Sequence, residues 1–302
     1  MIKVVPVFSI AFHFTPSDED GGARERTGQN GRVATIVPIQ DPTDERVGDF
    51  QGLSDPERRR RLERPSSAGD GFFVVEGPLV VRRLLGSDYR VRALLVTDRG
   101  LRSLDGDLAQ ADVPVYLATQ AVVDTIGGFN FHRGALASAD RRPLADLTTL
   151  AHAAELAMMI EGVNDHENLG ALFRNAAAFG VGAVILDPTT ADPLYRRSTR
   201  VSMGHVLGLP YGRAQEWPGA IARFQAMGFE VLALTPSPET DDIRTVAGRA
   251  RQAVLVGAEG PGLSAAALAA ADRRIRVAMA PGVDSLNVAT AAAVVLHHLA
   301  AR

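Results

Sequence analysis

The chain has 302 residues, of which 46% are hydrophobic, a formal charge of −3 and no cysteine. That leaves room for about two domains of ordinary size with real cores, and it excludes a disulfide framework, Cys-ligated zinc and a thiol nucleophile. The overall charge does not mark a nucleic-acid binder, although arginine carries nearly all the positive charge, Lys3 being the only lysine, and guanidinium forks suit phosphate.

No apolar run reaches the length of a membrane span. The opening MIKVVPVFSIAFHF contains Pro6 and His13 and has no small-x-small cleavage site, so it is expected to be a loose extension rather than a secretory leader. Residues 15–32 are polar and Gly-rich, and residues 1–45 together are expected to be a disordered extension. The cluster Arg58, Arg59, Arg60, Arg61 is expected to be the solvated face of a short helix. From Phe72 a β/α alternation begins. FFVVEG predicts a strand, PLVVRRLLG a helix stopped by Gly86, and VRALLVT and VPVYLA two further strands. TQAVVDTIGG predicts a helix and HRGALA a short strand. Residues 46–142 thus form a small α/β domain with a helical lead-in, and residues 143–154, with their Pro, form a linker.

Residues 155–302 alternate again. LAMMIEG leads into a helix at 168–179, then strand AVILD and a helix around DPLYRRSTRVSMG. PGAIARFQAMG and FEVLALT follow, then strand AVLVG, a short helix SAAALAAAD, strand RIRVAM and a helix from Ser285 onward. Strands spaced by helices predict a mostly parallel sheet covered on both faces, with its ligand at the carboxyl ends of the strands.

Three loops carry chemistry. In ENLGALFRNAAAFG, residues Leu169, Leu172, Phe173, Ala176 and Phe179 share one face, while Arg174 lies opposite with Gly170 a turn before it and Ala178 a turn after. That arrangement is expected to let a partner approach the backbone and meet only the guanidinium, and Asn168 is expected to cap the helix. In LVGAEGPGLS a buried strand runs into a turn spaced Gly257-x-x-Gly260-x-Gly262, which is not the dinucleotide spacing. Glu259 in that turn would repel a pyrophosphate, by about 1 kcal/mol at 4 Å in water and ~4 near a protein surface. The turn therefore suits a neutral or cationic ligand, such as a nucleoside bearing a sulfonium. In VAMAPGVDSLNVATAAAVVLHHL, Ser285 and Asn287 open a helix that is apolar all round. Capping explains Ser285 but leaves Asn287 needing a partner, and His297 and His298 are expected to be solvated.

Asn168-x-Gly-x-x-x-Arg174-x-Ala-x-x-Phe-Gly, Gly257-x-Glu259-x-x-Gly262-Leu, and Met279-x-x-x-x-x-Ser285-Leu286-Asn287-Val-Ala occur in that order. Together they resemble the SpoU (TrmH-like) 2′-O-ribose RNA methyltransferases of the SPOUT superfamily, and FVVEGPLVV and HRGALA resemble that family's small substrate-binding domain. The resemblance implies an α/β fold: a trefoil-knotted, parallel-sheet catalytic domain at 155–302 preceded by an L30e-like α/β domain. It implies S-adenosylmethionine held by Gly257, Gly262, Val277, Met279 and Leu286, catalytic roles for Asn168, Arg174, Glu259, Ser285 and Asn287, and RNA contacts by Arg133, Arg200 and Ser202. It also implies a cytoplasmic homodimer acting on rRNA or tRNA, on a guanosine, without metal or membrane. Two departures stand out: Val277-Ala278-Met279 where Ile-Pro-Met is usual, and His205 after Gly204 where a small residue is usual. The alternatives are a catalytically inactive RNA-binding relative, which predicts damaged motifs, and a nucleotide-dependent oxidoreductase, which needs a GxGxxG fingerprint the chain lacks.

Overall fold

The computed structural model describes residues 24–27, 33–55, 57, 71–109, 111–128 and 131–300. The Arg58–Arg61 cluster, the opening apolar run and most of residues 15–32 lie outside them. The first domain is built on a six-stranded mixed sheet. Its strands are β1 (Arg24–Thr27), β2 (Val33–Ile39), β3 (Phe72–Glu76), β4 (Val91–Val96), β5 (Val115–Ala118) and β6 (Ala135–Asp140), in the order β1-β2-β5-β4-β6-β3. β2, β5 and β4 run parallel, and β6 lies antiparallel between β4 and β3. The helices are α1 (Pro78–Leu85), α2 (Asp98–Ser103), α3 (Asp105–Leu108) and α4 (Gln120–Gly127). The expectation of a disordered first 45 residues needs correction: β1 and β2 belong to this sheet, and Val33–Ile39 is an apolar, β-branched run that can pair with β5.

The second domain holds a seven-stranded sheet in which every pairing is parallel. Its strands are β7 (Leu156–Glu161), β8 (Ala183–Leu186), β9 (Tyr211–Arg213), β10 (Glu230–Leu234), β11 (Asp241–Asp242), β12 (Gln252–Gly257) and β13 (Arg273–Arg276), in the order β11-β13-β10-β12-β7-β8-β9. Around it lie α5 (Leu147–Ala153), α6 (His166–Ala178), α7 (Arg196–Val201), a 3₁₀ turn at His205–Leu207, α8 (Gly219–Ala226), α9 (Ala265–Ala270) and α10 (Val288–Ala300). Successive side chains of a strand face opposite ways. Accordingly Met158 and Ile160 of β7 join one core with Leu172 and Phe173 of α6 and Ala292 and Val295 of α10, whereas Ala157 and Met159 join another with Leu150, Ile221 and Phe224. Burial on both faces is why β7 reads as an unbroken apolar run. The expected linker is also corrected. Within 143–154, α5 is a helix capped by the Asp146 carboxylate, and its Leu147 and Leu150 fill the second of these cores.

The two domains are joined by shared packing. Phe73, Val75, Val80 and Leu84 of the first lie in one continuous core with Leu194, Val206, Leu207 and Tyr211 of the second. Polar ties reinforce the seam: Arg141 pairs with Asp192, and an Arg83 guanidinium N–H donates to the Met203 carbonyl.

Candidate active site

A cavity of about 440 Å³ opens at the carboxyl ends of β10 and β12, where a parallel sheet places its ligands. Gly257, Gly262, Val277, Met279 and Leu286, the five residues with an expected cofactor role, all line it, together with Glu259, Ser285 and Asn287. Its size falls within the ~300–1,000 Å³ of small-molecule sites. Gly257 is what lets the glycine turn fold back. A Cβ there would lie 2.4 Å from the Gly262 carbonyl carbon and 2.5 Å from the Leu263 nitrogen. Gly260 and Gly262 take φ of +87° and +69°, a region open to glycine at little cost. Below the turn the Glu161 carboxylate, at the end of β7, accepts from Trp217 Nε1 at 2.7 Å, Ser264 Oγ at 2.7 Å and the Ser264 amide at 2.9 Å. Sequence reasoning missed this brace. Its signal was a lone carboxylate closing an apolar strand.

Asn287 gathers the three motifs. Its Nδ2 donates to Asn168 Oδ1 at 2.7 Å and to Glu259 Oε1 at 2.6 Å, while its Oδ1 accepts from the amides of Ala289 and Thr290 at 3.0 and 3.2 Å. Two expectations change as a result. Asn287, not Ser285, caps α10, leaving Ser285 exposed on the cavity wall. The cap of α6 is Asp165, which accepts from the Glu167 and Asn168 amides at 2.8 Å, so Asn168 stands inside the helix and its side chain is free to meet Asn287. The α6 helix then runs beside α10, with Asn175 Nδ2 donating to the Ala289 carbonyl at 2.8 Å.

Arg174 is exposed on α6, and Leu169, Leu172, Phe173 and Ala176 are buried, as the helical spacing predicts. Gly170, however, does not open the backbone to an outside partner. It lies under α7, where a Cβ would meet the Ser198 carbonyl oxygen at 2.7 Å and Val201 Cβ at 2.8 Å. Among the described residues Arg174 has no ion-pair partner, and its charge reaches His205. Burial first, and then the guanidiniums of Arg83 and Arg174, hold that imidazole below its usual pKa.

The expected RNA contacts divide. Arg133 and Arg200 are partly exposed on the domain seam. Ser202 is fully buried, with its hydroxyl donating to the Thr199 carbonyl at 3.0 Å, so it presents nothing to RNA in this conformation. His297 is exposed, as expected, whereas His298 is half-buried. The His297 ring meets Phe179 edge-on at 5.8 Å, and His298 Nε2 lies 3.3 Å from the Val246 carbonyl.

One support beneath the site makes a testable prediction. Buried Asp187, after β8, accepts from Thr190 Oγ1 at 2.5 Å, Thr189 Oγ1 at 2.6 Å, the Thr190 amide at 2.7 Å and the Gly162 amide at 3.0 Å. Burial pushes this carboxyl up, but those donors outweigh it and leave its pKa below the ordinary 3.8. A carboxylate with a depressed pKa in the folded state stabilises the fold above its ordinary value, and that stability is lost as pH falls through the folded one. Asp187→Ala is expected to cost about 3 kcal/mol at pH 7, because it strands buried N–H donors. In urea melts the gap from the parent protein should shrink below pH 3.8. A gap that is constant down to pH 2 would contradict this role.

The fold and site define a two-domain α/β protein with a ligand cavity at the carboxyl ends of β10 and β12, rimmed by Asn287 and Glu259. A family model described as SpoU rRNA methylase matches residues 155–297. The chain is 43% identical over 275 residues, 90% of its own length and 94% of the relative's, to an uncharacterized tRNA/rRNA methyltransferase of Mycobacterium tuberculosis, Rv0881. It is 26% identical over 261 residues to the 23S rRNA (guanosine(2553)-2′-O)-methyltransferase RlmP of Bacillus subtilis, spanning 86% of this chain and 98% of that one. The AdoMet-bound rRNA methyltransferase of Sinorhizobium meliloti superposes with a TM-score of 0.71 at 25% identity, covering 87% of this chain and 97% of that one. The chain belongs to the SpoU rRNA methylase family, and it is an RNA methyltransferase.

Proposed function

We propose that the chain methylates a ribose 2′-hydroxyl of ribosomal or transfer RNA, at a guanosine, using S-adenosylmethionine held in the cavity under the Gly257 turn. The observation that carries the reading is the Asn287 side chain bridging Asn168 and Glu259 at the cavity rim. Three segments far apart in sequence meet there in one polar cluster. The guanosine assignment leans on the activity named for the RlmP relative.

The lining fits the cofactor. Val256, Val277, Met279, Leu286 and Val288 offer apolar surface for a purine, and Glu259 offers the only carboxylate among the described residues of the wall. A carboxylate there favours a cation by the same Coulomb energy with which it would repel a pyrophosphate. When bound, the cofactor supplies a methyl group on a positively charged sulfur. Asn287, which donates to the Asn168 amide oxygen and the Glu259 carboxylate and caps the Ala289 and Thr290 amides, orients Asn168 and Glu259 around the approach to that methyl. Arg174 would stabilise the negative charge that the 2′-oxygen gains as its proton leaves, or would grip the adjacent phosphate. The hydroxyl proton leaves to water or to a phosphate oxygen, because a guanidinium with a pKa above ~12 is a poor base. The deep trefoil knot belongs to this proposal. It is supported by the return of the chain from β13 through residues 277–287 to the turn after β12. So does a homodimer, supported by exposed Val283, Leu286 and Val294 beside the cavity and along α10.

S-adenosylhomocysteine is expected to raise the melting temperature by several degrees, while NADH leaves it unchanged. Mapping 2′-O-methyl sites in total RNA from cells with and without the gene should then show a site that disappears with it. Unchanged maps together with no thermal shift would overturn the reading.

A further inference from the structure

Glu76 ends β3 in the first domain and is 5% exposed. Three guanidiniums surround it. Arg133 Nε, from the loop before β6, lies 3.5 Å away, and Arg196 and Arg200, from α7 of the second domain, lie 3.6 and 3.5 Å away. These are ion-pair separations longer than a formed hydrogen bond. One carboxylate therefore faces three cations, and the cluster keeps an excess positive charge in a chain whose net charge is −3. Side-chain exposure rises outward from Arg196 at 17% through Arg200 at 35% to Arg133 at 56%, so the excess faces solvent.

The cluster continues along the seam. Arg83 on α1 reaches the Met203 carbonyl just beyond α7, and Gly204 packs so closely beneath it that a Cβ would lie 3.2 Å from Arg83 Cδ. Next comes a groove of about 870 Å³ between the domains, with Arg83, Arg142 and His205 on its walls. The field of Arg174 also reaches His205. Arginines thus follow the domain boundary from Arg133 through Arg196 and Arg200 to Arg83, and Arg142, paired with Asp88, lies beyond them on the groove wall.

We propose that this seam is a composite binding site for the phosphodiester backbone of the RNA, and that Glu76 is the positioning residue that holds Arg133, Arg196 and Arg200 together across the two domains. The proposal rests on the RNA-methylation reading and adds to it where the backbone runs. Like-charged guanidiniums repel at these separations. A buried carboxylate offsets that repulsion while leaving net positive charge for a phosphate. Contacts of this kind carry no sequence information and set register alone.

The test uses the full-length protein without cofactor and two fluorescent probes, a mixed-sequence single-stranded RNA of about 30 nucleotides and a stem-loop of similar length. Affinity is measured across a KCl series. Arg133→Ala and Arg200→Ala are each expected to weaken both probes by about threefold or more and to flatten the logarithmic salt dependence by about 0.7–0.9. Glu76→Gln discriminates by sign. A carboxylate that merely repels RNA would, on removal, tighten binding, whereas a positioning carboxylate makes binding weaker. In a double-mutant cycle Glu76→Gln should then cost little once Arg133 and Arg200 are both Ala, and Glu76→Asp should recover part of the affinity. Unchanged salt slopes in Arg133→Ala and Arg200→Ala overturn the proposal, as does binding by Glu76→Gln as tight as the parent's. Arg133 is exposed enough that its truncation does not threaten folding. Failure of the methylation reading would show separately, in the parent protein, as no response to S-adenosylhomocysteine.

Discussion

Arg174→Lys is expected to lower turnover by about 10²–10³-fold while S-adenosylhomocysteine binds as it does to the parent. The separation of the two effects follows from where Arg174 stands. It is not among the residues that line the cavity, and it lies on the exposed face of α6, whose opposite face packs into the core. Losing the guanidinium therefore removes no wall of the pocket and no core contact. What it removes is a planar, always-charged donor fork whose geometry an ammonium does not reproduce. If the fork acts on charge that develops only in the transition state, kcat and kcat/KM fall together; if it grips a phosphate in the ground state as well, KM for RNA rises too. Single-turnover methyl transfer with saturating RNA separates these cases. Parent-level transfer by the Lys variant would remove Arg174 from the mechanism. The pH profile adds a check. A proton that leaves to solvent or to a phosphate predicts no loss of rate on going from pH 9 to pH 7 beyond that of the hydroxyl itself.

How much of this was legible in the sequence depended on whether a feature is local. The strands of the parallel sheet announced themselves because burial on both faces forces unbroken apolar runs such as LAMMIE and AVIL. Leu169, Leu172, Phe173 and Ala176 could be assigned to one face by angular spacing alone. Val33–Ile39 carries the same strand signal, but its polar flanks hid it, since pairing with β5 is a long-range event. The caps were misplaced for a different reason. Asp165 and Asn168, three positions apart, are both good cap residues, and so are Ser285 and Asn287, two positions apart. Only the path of the chain decides which oxygen reaches the free amides. Ser202 was expected as a contact because STRVSMG resembles the family's Arg-x-Ser-x-Gly segment, but α7 is pressed between Gly170 and β3, and that buries it. Glu161, Asp187 and Glu76 were invisible as functional residues. Each is a single carboxylate with a partner 25 or more positions away, namely Ser264, Gly162 and the two α7 arginines.

Gly257→Ala is the second large effect, and it should fall on the other half of the reaction. The added methyl would sit 2.4 Å from the Gly262 carbonyl carbon and 2.5 Å from both the Gly262 oxygen and the Leu263 nitrogen. All three are backbone atoms, and the turn they belong to cannot yield by a side-chain rotation. Ser264, one residue further, is fixed by two hydrogen bonds to Glu161 and starts α9, so relief has to come from pushing residues 258–262 outward. That is the direction that deforms the cavity and carries Glu259 away from Asn287. Overpacking of this kind typically costs about 1–3 kcal/mol, which, if it falls on the bound state, corresponds to S-adenosylhomocysteine binding weaker by roughly 5- to 150-fold. Gly260→Ala is the matched comparison. Its φ of +87° strains any L residue by about 1–2 kcal/mol, yet nothing lies within 4 Å of the new Cβ. Calorimetric titration of both variants should therefore rank Gly257→Ala well below Gly260→Ala in affinity. An equal loss in the two would mean that backbone strain, rather than the close approach of Gly257 to Gly262, governs the pocket.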